Sequence, residues 1–344
     1  MKRIMVILIV ILISGTAFSE GAAESADENM VNVYSHRHYD VDQELYERFT
    51  EITGIEVNVV KAGADELIER LRAEGPASPA DVVMTVDAGR LQKAVDMNLL
   101  QAVNSAELNT AVPEHLRHPE GYWYGLTKRA RVLAYSVDRV DPSELSTYED
   151  LASPKWSGRI VVRSSSNIYN QSLMAGMIDA NGGDAAAEWA GALVDNMARE
   201  PEGNDRDQVK AVAAGLADIA IVNTYYLGKL LSSDDPDEVA AGESVSLFFP
   251  NQDGRGTHIN VSGAGVTAHA PHRENAIRFI EFLTSVEAQK RYAAGNFEYP
   301  VREDVAPAEL VSSWGDFRED DVNLSVLGDL NIQAVIEFDK AGWK

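Results

Sequence analysis

Short apolar runs alternate with amphipathic helical stretches along most of this chain, and that alternation restricts the fold more than any other feature. Residues 31–34, 55–60 and 81–86 read as strands; residues 42–53, closed by Gly54, and residues 65–74 read as helices between them. Asp87 stands as the cap of a further helix running to Ala94. Strands joined through helices imply βαβ units and a largely parallel sheet. The pattern lapses where residues 122–125 and 131–135 form two extended pieces separated by a basic pair, Lys128 and Arg129. It resumes with a strand at 159–162, a loop at 164–167, helices at 168–180, 184–198 and 205–214, and a strand at 218–222. Two βα blocks point to two α/β lobes. Short strands at 258–261 and 264–267 and helices at 273–283 and 285–292 follow.

The chain begins as an exported one. Lys2 and Arg3 precede an apolar run over residues 4–13, and Ala17-Phe18-Ser19 fits signal-peptidase cleavage before Glu20. Removal of residues 1–19 leaves 344 − 19 = 325 residues. The run is shorter than the ~20 apolar residues of a spanning helix, and no later stretch reads as transmembrane, so a soluble periplasmic protein without membrane insertion is expected. Cysteine is absent, which excludes disulfides, thiolate metal sites, a cysteine nucleophile and a lipoprotein anchor. With 54 acidic against 30 basic residues the formal charge is −24, which argues against nucleic acid and is compatible with a cationic ligand.

Three strand-to-helix junctions carry tyrosine: His38-Tyr39, Tyr169 and the pair Tyr225-Tyr226. Ligands of open α/β sheets bind in the crevice at the carboxyl ends of strands, so all three junctions are eligible to line one cleft. Asn223 and Thr224 are good N-cap residues, which would set both phenols of the pair in a first helical turn, near the positive end of its dipole. Adjacent aromatics otherwise serve as one core and one surface residue.

Phenols titrate near ~10 and make poor acid–base catalysts at neutral pH. A hard, highly charged cation reverses this by displacing the phenolic protons and taking anionic oxygen ligands. Ferric iron suits that set best. Four phenolates against a trivalent ion leave one excess negative charge when His38 is neutral, and a buried excess charge wants a partner; Arg129 or Arg131 could supply it, though Arg129 could equally be an ordinary surface arginine.

Residues 33–39 (VYSHRHY), 166–170 (SNIYN), 223–226 (NTYY) and 258–266 (HINVSGAGV) resemble periplasmic ferric-iron-binding proteins, the substrate-binding components of iron(III) ABC importers, and within them the FutA-like branch. The resemblance runs from about Val31 to the C-terminus. It implies an α/β, type II two-lobed periplasmic binding protein, with two Rossmann-like βα lobes joined by a two-strand hinge and the ligand in the cleft. The implied lobes are residues 31–129 plus 256–302 and residues 130–255 plus 303–344.

It further implies Tyr39, Tyr169, Tyr225 and Tyr226 as ligands of Fe(3+), His38 as a histidine that coordinates in some members, and Arg129 as an arginine behind the ligands. A synergistic anion such as carbonate, an ABC permease and ATPase as partners, and a monomeric state belong to the same expectation. One departure is Lys229, where relatives often carry arginine; lysine lacks the planar fork. Two other readings stay open: a same-fold carrier of an oxyanion, thiamine or a polyamine, and a secreted hydrolase using His38 and Asp40 with Ser164 or Ser165. Against the second, the chain has neither a G-x-S-x-G elbow nor an H-E-x-x-H helix.

Overall fold

The computed structural model describes residues 29–344, and the leader expected at residues 1–19 lies outside the described residues. The chain opens with β1 (Met30–Ser35), α1 (Asp40–Thr53), β2 (Glu56–Lys61), α2 (Ala64–Glu74), β3 (Val82–Thr85) and α3 (Ala88–Asp96). β1 pairs in parallel with both β2 and β3, as helical crossovers require. Asp87 caps α3 by accepting from the Arg90 N–H.

After α4 (Ala106–Ala111) comes β4 (Tyr124–Ser136), a strand of 13 residues. The two extended pieces read from the sequence are therefore one strand. Its basic pair does not interrupt it because each cation is received: the Lys128 ammonium lies 2.9 Å from the Glu319 carboxylate, and Arg129 donates to the Val86 carbonyl. The second block contains β5 (Ile160–Val161), α5 (Ile168–Asn181), α6 (Gly183–Asp195), α7 (Asp205–Ala213), β6 (Ile219–Asn223) and α8 (Tyr225–Leu231). It continues through α9 (Pro236–Glu243) and β7 (Val245–Phe248). The remainder holds β8 (Ile259–Val266), α10 (Arg273–Leu283), α11 (Val286–Asn296), β9 (Tyr299–Pro300), α12 (Glu309–Ser312), α13 (Val326–Asp329) and α14 (Asn331–Ala341).

Strand order is β2-β1-β3-β8-β4-β6-β5, with β7 and β9 also paired to β4. The sheet is mixed, not largely parallel as the helix–strand alternation suggested: β8 and β4 sit antiparallel to all their neighbours. The reason is that β8 returns through a turn-rich segment instead of a helical crossover. The two short strands read around Ser262 are also one. At Gly263 a Cβ would lie 2.7 Å from the Tyr124 carbonyl oxygen, so the absent side chain is what lets β4 approach.

β4 changes partner along its length. Tyr124–Ala130 pairs with β8, and Arg131–Tyr135 with β6, so Arg129 and Arg131 flank the seam. The core fills both faces around fully buried Trp123, Tyr148 and Trp156. On α1, Leu45, Tyr46 and Phe49 are buried, and the Phe49 ring packs 5.2 Å from Phe279. Each such side chain contributes ~1.5–3 kcal/mol, which fixes the start of α1 and hence Tyr39. No helix among the described residues is long and apolar enough to cross a membrane.

Candidate metal centre

Each tyrosine singled out from the sequence sits at the start of a helix. Tyr39 immediately precedes α1, its N–H donating to the Asp42 carboxylate at 3.1 Å. Tyr169 is the second residue of α5, its N–H received by the Asn167 side chain. Tyr225 and Tyr226 open α8, directly after β6. The capping expected there is different in detail. Thr224 occupies the cap position with helical backbone angles and makes no side-chain cap bond, and Asn223 turns its carbonyl oxygen to Arg131.

The structure brings all four phenols together. The Tyr169 and Tyr225 hydroxyls are 3.2 Å apart, and the Tyr225 and Tyr226 rings stack at 4.4 Å. Burial pushes the Tyr39 phenol up to about 12; the Glu298 carboxylate and Tyr226 add to this, while Arg37 and Arg129 oppose it. Burial likewise raises Tyr169, followed by Tyr226 and Tyr39. Tyr225 is raised by burial and then by Tyr169, Tyr39 and Tyr226. Burial and mutual repulsion thus both favour the protonated forms of Tyr39, Tyr169 and Tyr225.

Cations ring the cluster. The Arg129 guanidinium lies 5.3 Å from the Tyr169 ring centre and that of Arg163 5.4 Å. Lys229 places its ammonium 4.3 Å from the Tyr39 ring and 5.3 Å from the Tyr225 ring. Beneath Tyr39, wholly buried Arg37 pairs with Asp42 at 2.9 Å and Glu298 at 3.3 Å. Sequence reading missed the roles of Arg163, Glu298 and Asp205, which binds both Arg131 and Arg163. Of these only Arg163 carried a signal, standing at the end of a predicted strand.

His38 is exposed, its ring 5.1 Å from that of Tyr39 and its Nδ1 3.3 Å from the His36 carbonyl. Ser164 Oγ faces Ser166 Oγ at 2.9 Å. The Ser164 hydroxyl and the His38 ring thus take partners other than each other. Among the described residues no group of three or more His, Asp or Glu side chains is arranged to hold a metal ion, which leaves the phenols as the concentrated donor set. Hard, anionic when deprotonated and flanked by cations, they suit a trivalent hard cation.

Residues 44–319 match the model of the bacterial extracellular solute-binding protein family. The chain is 52% identical over 318 residues to iron uptake protein A1 of Synechocystis, covering 92% of this chain and 88% of that one. It belongs to the periplasmic ferric-iron-binding proteins of ABC iron uptake. A Trichodesmium FutA structure, solved with iron and citrate, superposes with a TM-score of 0.89 at 53% identity, spanning 92% of this chain and all (100%) of that chain. An Fe(3+)-binding periplasmic protein of Serratia marcescens is 29% identical over 299 residues, 85% of either chain. The fold is the α/β solute-binding protein fold, the family is one of binding proteins and not enzymes, and its members are periplasmic.

Proposed function

We propose that this chain captures ferric iron with Tyr39, Tyr169, Tyr225 and Tyr226 as phenolate ligands and delivers it to an ABC permease. The observation that carries this reading is the convergence of four phenols from three separate helix starts, with the Tyr169 and Tyr225 hydroxyls 3.2 Å apart. Iron and periplasmic capture are also what the names of its relatives describe.

Arg129 offsets the one excess negative charge of four phenolates around Fe(3+), in keeping with its burial and its lack of any ion pair among the described residues. His38 is a fifth candidate ligand, on the exposed rim beside Tyr39. The lobes are residues 31–129 plus 256–302 and 130–255 plus 303–344, with the ion in the cleft between them. The seam in β4 and the segment leading into β8 serve as the two crossings, and closing of the lobes tells the permease that iron is aboard.

Equilibrium dialysis of metal-free protein against ferric citrate, phosphate and spermidine separates this from the other carriers of the same fold. One ferric ion per chain is expected, with or without a carbonate. Retention of phosphate or spermidine in place of iron would transfer the function to an oxyanion or polyamine carrier.

A further inference from the structure

Behind Tyr169, at the seam of β4, lies a small cavity bounded by Arg129, Arg131, Tyr169, Asn223, His258 and Asn260. Three of its walls carry donors with no protein acceptor: Nη1 of Arg129, Nε of Arg131 and Nδ2 of Asn223. All three side chains are 2% exposed. Leaving such donors unpaired costs ~1–3 kcal/mol each.

The acceptors nearby are already engaged. Asn223 Oδ1 receives Arg131, Asn170 Oδ1 receives the other arm of Arg131, and Asn260 Oδ1 receives the N–H groups of Ala88 and Val261. The Asn260 amide nitrogen is taken by Asp87. Charge points the same way. Arg131 and Arg163 share the single carboxylate of Asp205, while Arg129 has only the Val86 carbonyl. Burial and the two arginines push His258 down to about 3, so its ring faces the cavity as a neutral imidazole.

We propose that this cavity binds one monatomic anion of the halide class, chloride in the periplasm. A water molecule accepts at most two hydrogen bonds and brings two donors of its own, whereas a halide receives all three of the unpaired donors. The cavity is small, about 10 Å³, which suits a monatomic ion and is too little for citrate. Among the four tyrosines only Tyr169 borders it, and the halide compensates Arg129 when no iron is bound; this last consequence rests on the proposed iron function.

The test uses metal-free mature protein, so that failure of iron binding leaves its outcome untouched. In protein dialysed free of chloride and held at constant ionic strength, chloride and bromide should raise Tm saturably, and sulfate and gluconate should not. Crystals soaked in bromide should give an anomalous peak within hydrogen-bonding distance of Arg129 Nη1, Arg131 Nε and Asn223 Nδ2. Asn223→Asp replaces a donor by a carboxylate of equal size and should weaken chloride binding, followed by ³⁵Cl line broadening, about tenfold or more. Equal response to all four anions, or bromide peaks confined to the outer surface with water in the cavity, would overturn the proposal without recourse to the variant.

Discussion

The ammonium of Lys229 stands 4.3 Å from the centre of the Tyr39 ring, so the helix that carries the tyrosine pair reaches across to the tyrosine that precedes α1. Burial pushes this lysine down from its ordinary range, with the Glu298 carboxylate opposing. Its charge is positioned to steady phenolates on either side. Lys229→Met should weaken ferric binding about 3- to 30-fold, the range of a partly desolvated cation–π contact. Chelator competition measures it; an unchanged affinity would mean that Lys229 does not sense the phenolates.

A second contact ties α8 to the end of α11. A Cβ on Gly228, within α8, would lie 2.5 Å from Cγ and 2.7 Å from Cβ of Phe297, and Phe297 holds a left-handed backbone at φ 55°. A bulky residue there costs ~1–2 kcal/mol, so the packing against Gly228 must hold it. Gly228→Ala should lower iron affinity by driving α8 from Phe297, and adding Phe297→Gly, which removes both clashing atoms and tolerates the left-handed backbone, should restore most of it. Additive losses in the double variant would show that the two residues are not coupled.

Acid should release iron. Tyr39, pushed up to about 12 when empty, binds a proton that the metal must displace, as do Tyr169 and Tyr225, so affinity rises with pH throughout the neutral range. At one proton or more per ion, lowering pH by ~2 units should cost at least about hundredfold. Competition against a chelator of known protonation gives the slope, and a flat profile would exclude phenolate ligation.

His258 gives a separate acid limb in stability. Its folded value of about 3 lies below the ordinary ~6.5, so the unfolded chain protonates first as pH falls. The stability it contributes is complete above ~6.5 and is lost as pH drops toward about 3, on the order of a few kcal/mol. Urea unfolding across that window should show the loss, and His258→Asn should flatten it.

The strands and helices of the first block, and the placing of the tyrosines at helix starts, were legible because they follow from local periodicity and capping. The continuity of β4 through Lys128-Arg129 was not, since only Glu319 and the Val86 carbonyl, distant in sequence, make that strand tolerable. The same holds for Arg163 beside Tyr169 and for Phe297 against Gly228. Each depends on a partner more than five residues away, which no short-range pattern encodes. The mixed sheet escaped for a related reason: alternation predicts crossovers within a block but says nothing of how β8 returns.

The most direct measurement is a visible absorption titration of metal-free protein with ferric citrate, run on the native chain and on Tyr225→Phe. A broad phenolate-to-iron band saturating at one equivalent, with affinity reduced more than about hundredfold in the variant, is the predicted result, since even residues behind a metal's ligands typically cost 10–100-fold. Absence of the band in the native chain, or an unchanged band and affinity in Tyr225→Phe, would contradict tyrosinate capture of iron.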